Sequence, residues 1–236
     1  MTAEIVLSRR RWLAAHCSAL ALLASDALAT PAWAQPASSA PAGKPPVRAP
    51  LRRPILIVGD SLSAEYGLKR GSGWVALLEA RLAQQKIAIP VVNASISGDT
   101  TSGGRSRLPP LLAQHRPAIL ILELGANDAL RGLPLDMTHA NLMAMAQAAK
   151  VAGAQVLVVG MQVPPNYGRT YSDEFTTLFA KVARAQGAAL VPFLLAGVAD
   201  RPNAEALFQA DRIHPTAAAH PALLDNVWSA LQPLLH

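Results

Sequence analysis

RPILIVGDSLS, residues 53–63, is the stretch whose reading decides the fold. Pro54 is followed by an unbroken and mostly β-branched apolar run, Ile55 to Val58, which stops at Gly59-Asp60-Ser61. Such a run, bounded by Pro and Gly, predicts a buried strand that ends abruptly and hands a serine to the loop beyond it. A serine hydroxyl is nearly inert at neutral pH. A chemical role for Ser61 therefore requires a base, a group that orients the base, and donors for the oxyanion formed on attack. Taken alone, Ser61 reads equally well as a helix N-cap, where serine is favoured.

From Pro54 the chain runs for 183 residues, enough for one well-buried core. Apolar runs predict further strands over 87–94, 118–124, 155–161 and 188–193. Helical spacing predicts helices over 74–85, 106–115 (with Pro109-Pro110 near its start), 141–151, 173–185 and 216–235. Strands that read as near-continuous apolar runs are those covered on both faces, the habit of parallel sheets between helices. The alternation predicts a three-layer α/β domain with about five parallel strands. Ligands of such sheets bind at the carboxyl ends of the strands.

The residues before this domain read differently. Residues 1–34 have the layout of an export signal: Arg9-Arg10-Arg11, an apolar stretch from Trp12 to Leu28, and the small-x-small site Ala32-Trp33-Ala34, with cleavage expected after Ala34. Ser8 to Leu13 also resembles a twin-arginine signal, departing from that pattern at Trp12 and Ala14. His16, Cys17 and Asp26 interrupt the apolar stretch, which argues against a membrane anchor. Residues 35–53, rich in Pro, Ala and Ser, read as a disordered tether to a domain over 54–236. The net charge of +6 is carried mainly here, since residues 1–53 hold seven Lys/Arg against two Asp/Glu and the remainder fourteen against thirteen. A nearly neutral domain lacks the basic face that nucleic-acid binding needs. The single cysteine, Cys17, falls within the signal, so the mature chain has neither a disulfide nor a cysteine-bound metal.

Three polar stretches sit where predicted strands end: Asn93 to Thr100, Gly125-Ala126-Asn127-Asp128, and, beyond the fifth strand, Asp211-Arg212-Ile213-His214-Pro215. His214 suits the base and Asp211, three residues earlier, its orienting carboxylate. Gly98 offers a backbone N–H with no side chain in the way, Asn127 a side-chain amide, and Ser61 its own N–H. Singly, Gly98 reads as a turn glycine and Asn127-Asp128 as a loop or capping pair. Asp136-Met137-Thr138-His139 repeats the Asp-x-x-His spacing, but it opens into a helix that Asp136 or Thr138 would cap. Pro215 holds His214 just outside a helix, which favours His214. Ser63, Ser95 and Ser97 read as turn or strand-end serines, and His115, His220 and His236 as solvated.

Together, Gly59-Asp60-Ser61-Leu62-Ser63, Gly98, Gly125-x-Asn127-Asp128 and Asp211-x-x-His214-Pro215 resemble the conserved blocks of the GDSL or SGNH hydrolases. The resemblance covers residues 54–236. It is nearest to bacterial exported arylesterases and the periplasmic thioesterase/lysophospholipase group, through GDSLSAEYG (59–67), GDTTSGGRSRLPP (98–110), LGANDALRGLP (124–134) and MQVPPNYG (161–168). Ala126 and Ala129 stand where many such relatives carry Gly.

The resemblance implies a flavodoxin-like sheet and an exported, periplasmic serine esterase acting on carboxylic esters or thioesters, lipid acyl esters among them. It implies Ser61, Asp211 and His214 as catalytic residues and Ser61, Gly98 and Asn127 as the oxyanion hole, with no metal or cofactor. The sequence carries no HExxH, phosphate-binding loop, dinucleotide fingerprint or G-x-S-x-G elbow. A carbohydrate O-acetyl esterase and a non-catalytic periplasmic binding protein are the alternative readings. Ala129, Leu130 and Leu133 read equally as an apolar acyl site or as core packing.

Overall fold

The computed structural model describes residues 53–235. The export signal over 1–34, the tether apart from Arg53, and His236 lie outside the described residues. The opening apolar run forms β1 (Ile55–Gly59), buried at every position. It is joined by β2 (Val91–Asn93), β3 (Ile119–Glu123), β4 (Gln155–Val159) and β5 (Ala189–Val191) in one parallel sheet of order β2-β1-β3-β4-β5. Ile55 stands opposite both Val91 and Ile119, so β1 is paired on both sides. The two edge strands are three residues long, shorter than the runs over 87–94 and 188–193. Pro90 and Pro192, which have no N–H for a ladder, flank them.

Helices α1 (Trp74–Gln84) and α6 (His220–Leu231) pack against each other, while α2 (Thr101–His115), α4 (Leu135–Val151) and α5 (Arg169–Gln186) pack in a row. With the sheet between these two groups, the three-layer α/β architecture expected from the alternation of patterns is the one found. A short helix, α3 (Ala126–Leu130), occupies a segment that sequence assigned to a turn. Arg53 donates to the carbonyls of Arg116, Pro117, Ala152 and Gly153, tying the start of β1 to the chain just past α2 and α4.

Three helices begin earlier than their apolar spacing suggests, α5 by four residues at Arg169 and the other two by more. α2 starts at Thr101, where Thr100 caps it by accepting from the Gly103 N–H at 3.3 Å. Pro109 and Pro110 therefore lie mid-helix, and both are exposed. They leave the carbonyls four residues back without helical donors. α4 starts at Leu135, so Asp136 and Thr138 lie inside its first turn and do not cap it. Thr138 is buried and donates to Asp128 at 3.3 Å. His220 corrects another expectation: it is buried, and its Nδ1 accepts from the Trp74 N–H at 2.9 Å, so α6 supplies the cap of α1. Burial also pulls the His220 pKa down, in keeping with a neutral acceptor. No helix among the described residues is long and apolar enough to cross a membrane.

Because β1 lies between β2 and β3, the chain leaving β1 turns toward α1 while the chain leaving β3 turns toward α3. The crevice between these two exits is the switch point where such sheets hold ligands.

Candidate active site

The residues that sequence singled out converge at this crevice. Ser61 follows β1 directly. Its Oγ is 2.8 Å from His214 Nε2, although 153 positions separate the two. His214 Nδ1 lies 2.7 Å from Asp211 Oδ2. An ionised carboxylate only accepts, so Nδ1 carries the hydrogen and Nε2 presents its lone pair to the Ser61 hydroxyl.

Asp211 fixes this unit locally. Its Oδ1 accepts from the N–H groups of Ile213 and His214 at 2.9 and 3.0 Å, and its Oδ2 takes the imidazole. The bonds from the His214 backbone and ring hold the Asp211 pKa down at about 2, so the carboxylate stays charged far into acid. The loop is pinned by an antiparallel bridge between Phe208 and Pro215, by Gln209 N–H to His214 O at 2.8 Å, and by Gln209 Nε2 to Tyr66 O at 2.9 Å. Tyr66 lays its ring over His214, centroids 4.3 Å apart. The imidazole is thus packed on one face.

The capping role open to Ser61 is taken by its neighbour. Asp60 Oδ1 accepts from the Leu62 N–H at 3.0 Å, and the Asp60 carbonyl accepts from Ser63 and Ala64. Ser61 Oγ is left for His214. Asp60 Oδ2 also accepts from Asn127 Nδ2 at 3.0 Å. This bond decides which way the Asn127 amide faces, and it leaves one amide hydrogen unused. The N–H groups of Ser61 and Gly98 likewise have no acceptor among the described residues. Three free donors therefore come from three strand ends. Gly98, at φ +77°, sits in a conformation where a side chain would be strained.

Several contributors have roles that the sequence did not assign. Glu123, the last residue of β3, is fully buried beneath the Ser61 loop and accepts from Ser63 Oγ at 2.7 Å and from the Asp60 N–H at 3.3 Å. Trp74 Nε1 completes the chain by donating to Ser63 Oγ at 3.2 Å. Ser63 is therefore a buried link and not a plain turn serine. Burial, then the adjacent Asp60 charge, raises Glu123 well above the usual carboxylate range. Burial likewise pushes Asp60 up to about 6. Of the two, Glu123 is the one whose proton is held by complete burial beside a second carboxyl. Asp128, beside Asn127, accepts from Thr101 N–H at 2.8 Å and from the hydroxyls of Thr101 and Thr138, locking α3 to α2 and α4. His139 lies within α4, away from Ser61. Ala129 is core, Leu133 half-buried and Leu130 exposed, so core packing accounts for Ala129 alone. Among the described residues no group of three or more His, Cys, Asp or Glu is arranged to hold a metal ion.

A parallel α/β sheet that presents a Ser–His–Asp relay and converging N–H donors at its carboxyl edge defines a serine ester hydrolase. The profile of the GDSL-like lipase/acylhydrolase family matches residues 57–222, and the chain belongs to that family. It is 51% identical over 181 residues to Esterase TesA of Pseudomonas aeruginosa, covering 77% of this chain and 89% of that protein. It is 41% identical over 189 residues to thioesterase 1/protease 1/lysophospholipase L1 of Escherichia coli, covering 80% and 88%. Among solved structures, the psychrotrophic esterase EstA of a Pseudoalteromonas species, inhibited by monoethylphosphonate, superposes with a TM-score of 0.72 at 38% identity, covering 78% of this chain and 98% of that one. The chain is accordingly a carboxylic ester hydrolase of the GDSL type.

The two buried carboxyls make stability depend on pH in a stated direction. Asp60 binds its proton more tightly folded than unfolded. Its stabilising contribution is therefore complete below the unfolded value of 3.8 and is lost as pH rises through about 6. A shift of this size corresponds to on the order of 3 kcal/mol. Asp60→Asn removes that loss, so denaturant unfolding at a series of pH values from acid to neutral should show the variant gaining on the wild type as pH rises. Parallel stability curves would refute the assignment.

Proposed function

We propose that Ser61 is the nucleophile of this hydrolase, with His214 as its general base and acid and Asp211 as the group that orients His214. The observation that carries this reading is the continuous contact from Ser61 Oγ to His214 Nε2 and from His214 Nδ1 to Asp211 Oδ2. Ser61 Oγ attacks the carbonyl carbon as its proton passes to Nε2. The negative charge gathers on the carbonyl oxygen, which takes hydrogen bonds from the Ser61 and Gly98 N–H groups and the free Asn127 amide hydrogen. Collapse expels the alcohol or thiol, which receives the proton from Nε2 and leaves an acyl-Ser61 ester. Water, deprotonated by the same nitrogen, attacks that ester and releases the acid.

The substrate class is read from the rim. Tyr66, Ile96, Leu130 and Ile213 are all about half exposed, and each belongs to a segment that carries a site residue. Large apolar side chains exposed on the segments that carry a polar site suit esters or thioesters with an apolar acyl or aryl group. The names of the relatives, which include an arylesterase of Vibrio mimicus, point the same way. We further infer that the mature protein is exported to the periplasm or beyond after cleavage following Ala34.

Replacing Ser61 by Ala should abolish labelling by a fluorophosphonate probe. His214→Ala should lower kcat by at least about a thousand-fold while His139→Ala leaves most of it; the opposite ranking would overturn the choice of base. Across p-nitrophenyl esters from acetyl to palmitoyl, kcat/KM should rise beyond acetyl. Activity confined to acetyl would remove the apolar-substrate reading in favour of an O-acetyl esterase. Mass spectrometry of protein recovered from the periplasm should find Gln35 at the N-terminus, and an intact Met1 would exclude the processing.

A further inference from the structure

Arg131 touches both donors of the oxyanion hole that lie outside the serine loop. It terminates α3, where its backbone N–H donates to the Asn127 carbonyl at 3.2 Å. Its side chain then crosses to the loop after β2, where Nη2 donates to the Gly98 carbonyl at 2.7 Å. That carbonyl has no other donor among the described residues. Gly98 needs such a restraint. At φ +77° a glycine has many accessible neighbouring conformations, and its own turn holds it only through the Asp99 N–H to Ile96 carbonyl bond of 3.1 Å.

The charge of Arg131 is also uncompensated. Among the described residues no carboxylate lies within 4.0 Å of it, and Asp99, next to Gly98, is taken by Arg107 at 2.7 Å. A guanidinium stays charged throughout the working pH range and makes short, charge-assisted bonds. Four of its five planar N–H donors remain free among the described residues, on the exposed surface beside the hole.

We propose that Arg131 is a positioning residue of the oxyanion hole: it locks the Gly98 peptide in register with Asn127 and sets a fixed positive charge beside the oxygen on which negative charge develops. The inference rests on Ser61, Gly98 and Asn127 acting as described above. It concerns a stage at which charge has formed, so it acts on the transition state and leaves ground-state binding largely untouched.

The test uses Arg131→Met, Arg131→Lys and Ser61→Ala with p-nitrophenyl butyrate. Arg131→Met should lower kcat by about ten- to a hundred-fold with KM changed by less than about two-fold, a smaller loss than deleting a donor outright. Its rate of phosphonylation by a fluorophosphonate should fall by a similar factor, since the phosphoryl oxygen enters the same hole. Arg131→Lys should recover part of both rates, because an ammonium can donate one bond to the Gly98 carbonyl. A wild-type kcat in Arg131→Met overturns the inference. So does a lowered melting temperature accompanied by wild-type turnover below it, which would make Arg131 a purely structural residue. Hydrolysis that survives in Ser61→Ala would instead remove the reading of the site itself, whatever the Arg131 variants do.

Discussion

The carboxylate of Asp60 is the point from which the site is built. One oxygen takes the Leu62 N–H and shapes the turn that carries Ser61; the other takes the Asn127 amide and orients a side-chain donor that follows a different strand. A single buried anion thus couples the loop after β1 to the helix after β3. Such a charge is costly to bury. Its cost appears in the raised pKa and is limited by two features that surround it: hydrogen bonds to both oxygens and proximity to His214. Breaking the bond to Asn127 would free the loop from the helix, and breaking the bond to Leu62 would loosen the turn itself.

The sheet order makes this coupling possible. Parallel strands expose their carboxyl ends on one edge, and only where the connections diverge does that edge open into a crevice. β1 and β3 are paired through their full lengths, with Gly59 opposite Glu123, so Asp60 and Leu124 leave the sheet side by side. His214 has to come from further away. It is delivered by the long segment after β5, which is fastened to the Ser61 loop through Gln209 and Tyr66.

Much of this could be read from the residues alone, because the signals were local. A β-branched run closed by Gly-Asp-Ser, and an Asp-x-x-His followed by Pro, state their conformations within a few positions. What sequence misjudged was decided by partners distant in the chain. Thr101 begins α2 because Asp128, 27 positions later, receives its N–H, whereas Thr-Ser-Gly-Gly by itself resembles a turn. Thr138 faces inward to the same carboxylate instead of capping α4, and His220 is buried because Trp74 lacks a cap of its own. Glu123 carried no signal at all: a charged residue ending an apolar run gives no hint that it will be fully enclosed.

The three-residue spacing of Asp211 and His214 has a consequence for how the site tolerates change. Both oxygens of Asp211 are satisfied within its own turn, so the distance between His214 and Asp211 is set by local bonds and does not depend on where the loop as a whole lies. The dyad is in effect one rigid part with a single external coordinate, its separation from Ser61. Sequence drift, insertion or thermal motion in the preceding segment acts on that coordinate alone. The relay is either in reach of the serine or out of reach, but its internal geometry is carried along intact.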